Sequence, residues 1–157
     1  MAAPIQNLEV SYSLGILSAH YTSLIPNAAL NLPPEVQIGL NSKLQKTPPN
    51  ENLIGIDYRF PKFFPSGNFV LHADWRFTAD TYNDAQNSVF LYQRAYNIGN
   101  ASVGWQAASG KWSLRVLGYN LTNRQYIVSG DSNYGIGFHE AEFNRPREWV
   151  VAAETSF

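Results

Sequence analysis

The sequence predicts an all-β chain, an antiparallel up-and-down meander of about six long strands that forms part of a barrel wall. Three observations carry this reading. Apolar and polar residues alternate with a period of two through most of the chain, which is the repeat of a strand with two unlike faces. The connections between these stretches alternate in length, in the order long, short, medium, short, long. The aromatic residues gather at the ends of the predicted strands rather than at their middles. A strand with one apolar and one polar face suits a sheet with lipid on one side and water on the other.

The elements follow in order. Residues 8–22 form the first strand: Leu8, Val10, Tyr12, Leu14 and Ile16 share one face, and Glu9, Ser11, Ser13 and Gly15 the other. The pattern decays past Leu17, where a strand would leave the bilayer. Residues 23–52 read as a long loop because Pro26, Pro33, Pro34, Pro48 and Pro49 interrupt any ladder, with a brief alternation at Val36, Ile38 and Leu40. The second strand spans 53–60, with Ile54, Ile56, Tyr58 and Phe60 opposite Gly55, Asp57 and Arg59. The turn PKFFPSG follows. In the third strand Phe69, Leu71, Ala73, Trp75 and Phe77 alternate with Asn68, His72, Asp74, Arg76 and Thr78.

Residues 80–94 read as a polar loop. The fourth strand spans 95–106, where Ala101, Val103 and Trp105 oppose Asn100, Ser102, Gly104 and Gln106. AASGK is a tight turn with a glycine suited to positive φ. The fifth strand begins at Trp112 and runs to about Ile127. A second long loop covers 128–144, and the sixth strand opens at Pro146, where a missing N–H is tolerated. Its end alternates cleanly: Trp149, Val151, Ala153, Thr155 and Phe157 on one face, Glu148, Ala152, Glu154 and Ser156 on the other, with Val150 the exception.

Composition narrows the class. Of 157 residues 14 % are aromatic and only 15 % charged, a charge-poor balance for a soluble domain. The net charge of −1 offers no basic footprint for nucleic acid. There is no cysteine, so neither disulfides nor thiolate metal sites arise. No apolar run approaches the length of a transmembrane helix. The mean hydropathy of −0.25 does not argue against a transmembrane barrel, half of whose strand residues face a polar lumen. The N-terminal MAAPIQNLEV lacks the basic and apolar regions of a signal peptide, so an exported barrel would be expected to be incomplete at this end.

One orientation accommodates all five connections. With Phe157 on the periplasmic side, the short turns at 61–67 and 107–111 also face the periplasm, and the connections at 23–52, 80–94 and 128–144 face outward. Phe60, Phe63, Phe64, Phe69, Trp105, Trp112 and Phe157 then gather at the periplasmic end, and Phe77, Tyr82, Tyr96, Tyr119, Tyr126 and Trp149 at the outer end, as interfacial girdles do.

The stretches TPPNENLIGIDYRF, NIGNASVGWQ, WSLRVLGYNLTNRQY and RPREWVVAAETSF, in that order and spacing, resemble the C-terminal β-barrel segment of TonB-dependent outer-membrane receptors. The most specific piece is NLTNRQY followed by a loop and a strand ending in phenylalanine. The resemblance covers nearly the whole chain, from about Pro4. It implies a barrel of 22 antiparallel strands around a plug, and energised uptake of a scarce ligand, often a ferric siderophore. It also implies that this chain represents only the last strands of the barrel, without plug, TonB-contacting box or signal peptide. Its partners would be outer-membrane lipid, the remainder of the barrel and plug, the TonB complex only through that plug, and the barrel-assembly machinery. Trp149, Val151, Ala153 and Phe157 would form the C-terminal assembly signal. The final strand would be an open edge.

Candidate sites are few. Asp131, Tyr134, His139, Arg145 and Arg147 lie on or beside an outer loop, where a rigid scaffold displays binding groups. Asp57, Arg59, Asp74, Arg76, Arg115, Glu148 and Glu154 lie on the polar strand faces and read as solvated or cross-strand charges lining the lumen, or as a ligand path or plug contact. His20, His72 and His139 show no metal-ligand spacing. The sequon at Asn120 is a coincidence in a bacterial barrel strand. No cofactor and no catalytic arrangement is legible, so the chain does not read as an enzyme. Two other readings remain: a small complete outer-membrane barrel of about eight strands with a structural or adhesion role, and a soluble β-sandwich that binds carbohydrate through its aromatics.

Overall fold

A computed structural model describes residues 2–25, 37–61 and 67–156, with side chains from residue 6 onward. Val36, Phe63, Phe64 and Phe157, and the prolines at 26, 33 and 34, lie outside the described residues. The described chain is a single antiparallel sheet of seven strands with two small ribbons at one end. The strands are β1 (Ala2–Ile5), β2 (Leu8–Ile16), β3 (Asn50–Arg59), β4 (Gly67–Thr78), β5 (Thr81–Tyr82), β6 (Tyr92–Gln93), β7 (Tyr96–Ala107), β8 (Trp112–Tyr119), β9 (Ile127–Asn133), β10 (Phe138–Phe143) and β11 (Glu148–Thr155). The sheet order is β1-β2-β3-β4-β7-β8-β11; β5 pairs with β6, and β9 with β10. Within this sheet every strand pairs with its sequence neighbour once the ribbons are set aside, as the meander predicts.

The pairing register shows that the alternation was read on the correct faces. Residues opposite one another on neighbouring antiparallel strands share a face. Val10 lies opposite Ile56, Ile56 opposite Ala73, Ala73 opposite Ala101 and Ala101 opposite Gly118. One step toward the short turns, Tyr58, Leu71, Val103, Val116 and Val151 form the next such row. The other face carries Glu9, Asp57, His72 and Ser102 in one row. A slip of one residue in any pair would invert these faces.

The sheet is one layer, and it has almost no core. Among the described residues the buried apolar side chains are Ala79 and Leu91 alone, while Ile54, Ile56, Leu71, Val103, Leu114, Trp149 and Val151 are exposed on the apolar face. A β-sandwich would bury that face against a second sheet, so the soluble sandwich reading is overturned. Edge strands β1 and β11 each pair on one side only among the described residues, so the barrel is not closed.

Several sequence expectations are corrected. The first strand, expected over 8–22, ends at Ile16. The meander has a seventh strand: β1 turns at Asn7, which takes positive φ (70°), and returns as β2. The fifth strand stops at Tyr119, because Asn120 and Asn123 both adopt left-handed φ (48° and 49°) and turn the chain out of the sheet. The loops at 80–94 and 128–144 are ribbons rather than irregular chain; between β5 and β6 lies one 3-10 turn, Val89–Leu91, capped by Ser88 Oγ, which accepts from the Leu91 N–H at 3.2 Å. Residues 37–49 contain no strand, so the alternation at Ile38 and Leu40 does not make one.

The two ends of the sheet differ as the connection lengths imply. The β1–β2 and β7–β8 turns lie at one end, with the end of β3 and the start of β4; residues 17–25 and 37–49 and both ribbons lie at the other. Phe69 faces Trp105 across β4 and β7 near the short-turn end, and Tyr58 packs edge-on against Phe60 at 4.8 Å. At the opposite end Trp75 lies over Gly99 and Trp149 over Gly118, where an added Cβ would come within 2.9 Å and 2.8 Å of the indole carbons. The girdle assignment needs one amendment there. Tyr96 and Tyr119 fall on the polar face, and Tyr96 stacks on Tyr126 at 4.2 Å.

Candidate functional site

The polar face of the sheet is its hollow side. A groove of about 900 Å³ runs along it, lined among others by Asp57, His72, Asp74, Ser102, Arg115 and Glu154. At its centre the register sets Asp57 on β3 opposite His72 on β4, with Asp74 two residues further along the same face. His72 Nδ1 lies 2.9 Å from Asp57 Oδ1, and His72 Nε2 lies 3.5 Å from Asp74 Oδ2. A neutral imidazole has one N–H and serves one carboxylate; a protonated one serves both. Asp74 Oδ1 also accepts from Asn100 Nδ2 at 2.9 Å. Asp57 and Asp74, separate polar-face charges in the sequence, therefore flank His72, for which the sequence showed only a place on the polar face and no metal-ligand spacing. The missing signal was the register, which lies across the β3–β4 turn and cannot be counted without it.

Above the sheet, at the long-connection end, the two ribbons and the 37–49 segment form a cap. Leu91 is the most deeply buried side chain described, and an added Cβ on Gly130 would collide with it. Ser88 Oγ lies 3.3 Å from Ser132 Oγ, and Gln93 Oε1 accepts from the Ile127 N–H at 2.8 Å. The 37–49 segment is tied in by reciprocal bonds: the Lys43 N–H donates to Asn87 Oδ1 at 2.7 Å, and Asn87 Nδ2 to the Lys43 carbonyl at 2.8 Å. Lys43 Nζ reaches Asp80 Oδ2 at 3.2 Å. That contact holds the Asp80 carboxyl below its ordinary range. Burial, with Asp80 as hydrogen-bond acceptor, pushes the Tyr92 hydroxyl up.

The five loop residues singled out from the sequence divide into two places. Tyr134 and His139 come together on the β9–β10 ribbon: the rings meet edge-on at 5.1 Å, and Phe90 stacks on His139 at 4.2 Å. Asp131 sits on the same ribbon opposite Glu140 and is exposed. Arg145 and Arg147 lie at the ribbon's root, both exposed. Arg145 is 3.8 Å from Glu148 and borders a smaller cavity of about 570 Å³ with Tyr119, Tyr126 and Phe143. Trp149, Val151 and Ala153 lie on the apolar face of β11, with Val151 opposite Val116 and Ala153 opposite Leu114. Trp149 is 65 % and Val151 68 % exposed, which in water would be a costly stripe. Among the described residues no group of His, Asp and Glu is arranged to hold a metal ion.

A single antiparallel layer, hollow and polar on one side and apolar on the other, with long connections at one end, is the architecture of a β-barrel wall. Comparison with known proteins places that wall. The chain superposes on part of the siderophore receptor PiuA from Acinetobacter baumannii with a TM-score of 0.72 and 15 % identity, over 97 % of this chain and 20 % of that one. It also superposes on the ferric yersiniabactin uptake receptor FyuA from Yersinia pestis with a TM-score of 0.63 and 21 % identity, over 72 % of this chain and 17 % of that one. The fold is thus shared with a segment of siderophore receptors, as the resemblance to the TonB-dependent receptor barrel implied. The chain spans about a fifth of the length of PiuA and about a sixth of that of FyuA. No protein-family model matches it. No curated protein matches it.

Proposed function

We propose that this chain is the C-terminal part of an outer-membrane TonB-dependent receptor, working in energised uptake of a scarce ligand such as a ferric siderophore. The observation that carries the proposal is the pairing of an exposed apolar face with a hollow polar face in one unclosed layer, the fold that PiuA and FyuA share. Such a layer has two needs. Its apolar face requires lipid, and its unpaired edges, β1 and β11, require further strands, since unsatisfied backbone groups are not tolerated in a bilayer. The role is transport rather than catalysis. The groove along the polar face would line the passage, and the ribbon bearing Asp131, Tyr134 and His139, with Arg145 and Arg147 at its root, would meet ligand on the outer side. Trp149, Val151 and Ala153 would present the strand that the assembly machinery recognises.

The test is uptake of radioactive iron from a panel of ferric siderophores by iron-starved cells with and without the gene. The expected result is loss of uptake for at least one siderophore in the deletion strain, restored by the gene and abolished by an uncoupler. Unchanged uptake across the panel, or recovery of the protein in the soluble fraction, would overturn the reading.

A further inference from the structure

The turn that follows β8 is built around a residue for which the sequence suggested no role. Asn120 is 6 % exposed and adopts a left-handed φ of 48°. Its carboxamide makes four hydrogen bonds. Oδ1 accepts from the Arg124 N–H at 2.9 Å and from Thr122 Oγ1 at 3.1 Å. Nδ2 donates to the Arg124 carbonyl at 3.0 Å and to the Arg145 carbonyl at 3.1 Å. Arg124 lies just before β9 and Arg145 just after β10. One side chain therefore grips both roots of the β9–β10 ribbon.

The grip is itself anchored to the sheet. The Asn120 N–H donates to Asn100 Oδ1 at 2.9 Å, and Asn100 Nδ2 donates to Asp74 in the wall of the groove. Asn144 adds a second tie, accepting from the Tyr126 N–H at 2.8 Å and donating to the Arg124 carbonyl at 3.0 Å. Asn123, the other left-handed asparagine of the turn, accepts only from the Arg147 N–H among the side-chain bonds described, at 3.1 Å. A left-handed residue can be needed for its backbone alone. Three carboxamide bonds to the two roots of a ribbon, with a fourth to Thr122 inside the turn, go beyond that need.

We propose that Asn120 is the positioning residue of the β9–β10 ribbon: its backbone N–H is anchored on Asn100, and its carboxamide fixes the angle at which the ribbon is held above the polar groove. The inference rests on the proposed function only in making that angle matter for ligand capture, through the placement of Tyr134 and His139. The geometry itself is tested without ligand.

The chain has no cysteine, so Ile136→Cys at the exposed ribbon tip (77 % exposed) and Ala108→Cys in the opposite turn accept a clean pair of spin labels. Distances are measured by pulsed electron paramagnetic resonance on the protein purified in mild detergent. The parent should give one narrow distribution. Asn120→Gly keeps the left-handed turn and removes the carboxamide; the distribution should become about twofold broader, as for a segment released to loop-scale motion. Asn120→Asp keeps the acceptor and loses both donated bonds, and should fall between. Asn123→Gly should stay as narrow as the parent. Amide exchange in β8 and β11 should be unchanged in all of them, which separates a freed ribbon from a loosened sheet. A parent-like width in Asn120→Gly overturns the proposal. Should Asn120→Gly not fold, a parent-like width in folded Asn120→Asp overturns it equally. A failed siderophore assay leaves these widths untouched, so the two ideas fail separately.

Discussion

Placing an arginine at Val103 should cost far more than placing one at the adjacent Ser102, and the difference tests the proposal that the apolar face meets lipid. Val103 lies near the middle of β7, opposite Leu71 and Val116, and is 41 % exposed on the apolar face. Ser102 points the other way, opposite His72 and Leu117, into the groove that also holds Asp57 and Asp74. An arginine on the lipid face near mid-bilayer costs about 2–4 kcal/mol, roughly 30-fold to 700-fold in the folding equilibrium at about 1.4 kcal/mol per tenfold. At Ser102 the guanidinium stays in water near two carboxylates, and the cost should be within about 1 kcal/mol. The assay is denaturant-dependent folding into phosphatidylcholine vesicles, followed by tryptophan fluorescence. Equal costs for Val103→Arg and Ser102→Arg, or the reverse order, would refute the assignment of faces. A cooperatively melting, monodisperse monomer in water without lipid or detergent would refute the membrane argument altogether.

The cap offers two further tests. Because the Asp80 pKa is lowered in the folded state, its contribution is present above the ordinary carboxylate value of 3.8 and is lost as pH falls through the lowered value; Lys43→Met should remove it. The pair is substantially exposed, so the loss should stay below about 1 kcal/mol and appear as faster amide exchange in residues 37–49 at neutral pH, with the difference from the parent vanishing at strongly acid pH. Gly130→Ala should undock the ribbons, since the new methyl group would meet the Leu91 side chain and come 2.7 Å from the Glu140 carbonyl oxygen; overpacking of this kind costs about 1–3 kcal/mol, and limited proteolysis between residues 128 and 143 should accelerate while the seven-stranded sheet stays protected.

Which face is apolar, where the six long strands lie and which end carries the long connections were legible in the chain alone. These are local facts: Val10, Ile56 and Val103 announce their face by alternating with polar residues or glycine, and the pairing of β2, β3, β4, β7, β8 and β11 continues their rows through Leu71, Val116 and Val151 without a slip. The ribbon β9–β10 was not legible, because the sequence IVSGDSN alternates too weakly between polar residues to look like a strand. The end of β8 was missed for a related reason. No proline marks it, Gly118 lies inside the strand, and the two asparagines that take positive φ there are held by Asn100, Arg124, Arg145 and Arg147. The candidate site was half legible. Tyr134 and His139 do meet on the ribbon, but Arg145 and Arg147 stand at its root, and the Asp57–His72–Asp74 arrangement needed a cross-strand register that no window of sequence contains. Alternation, a property of each strand by itself, determined the two faces of this protein. Tertiary structure alone decided which polar groups meet across strands and how the ribbons are held, because those contacts join residues distant in the chain, 44 positions apart for Lys43–Asn87 and Ser88–Ser132.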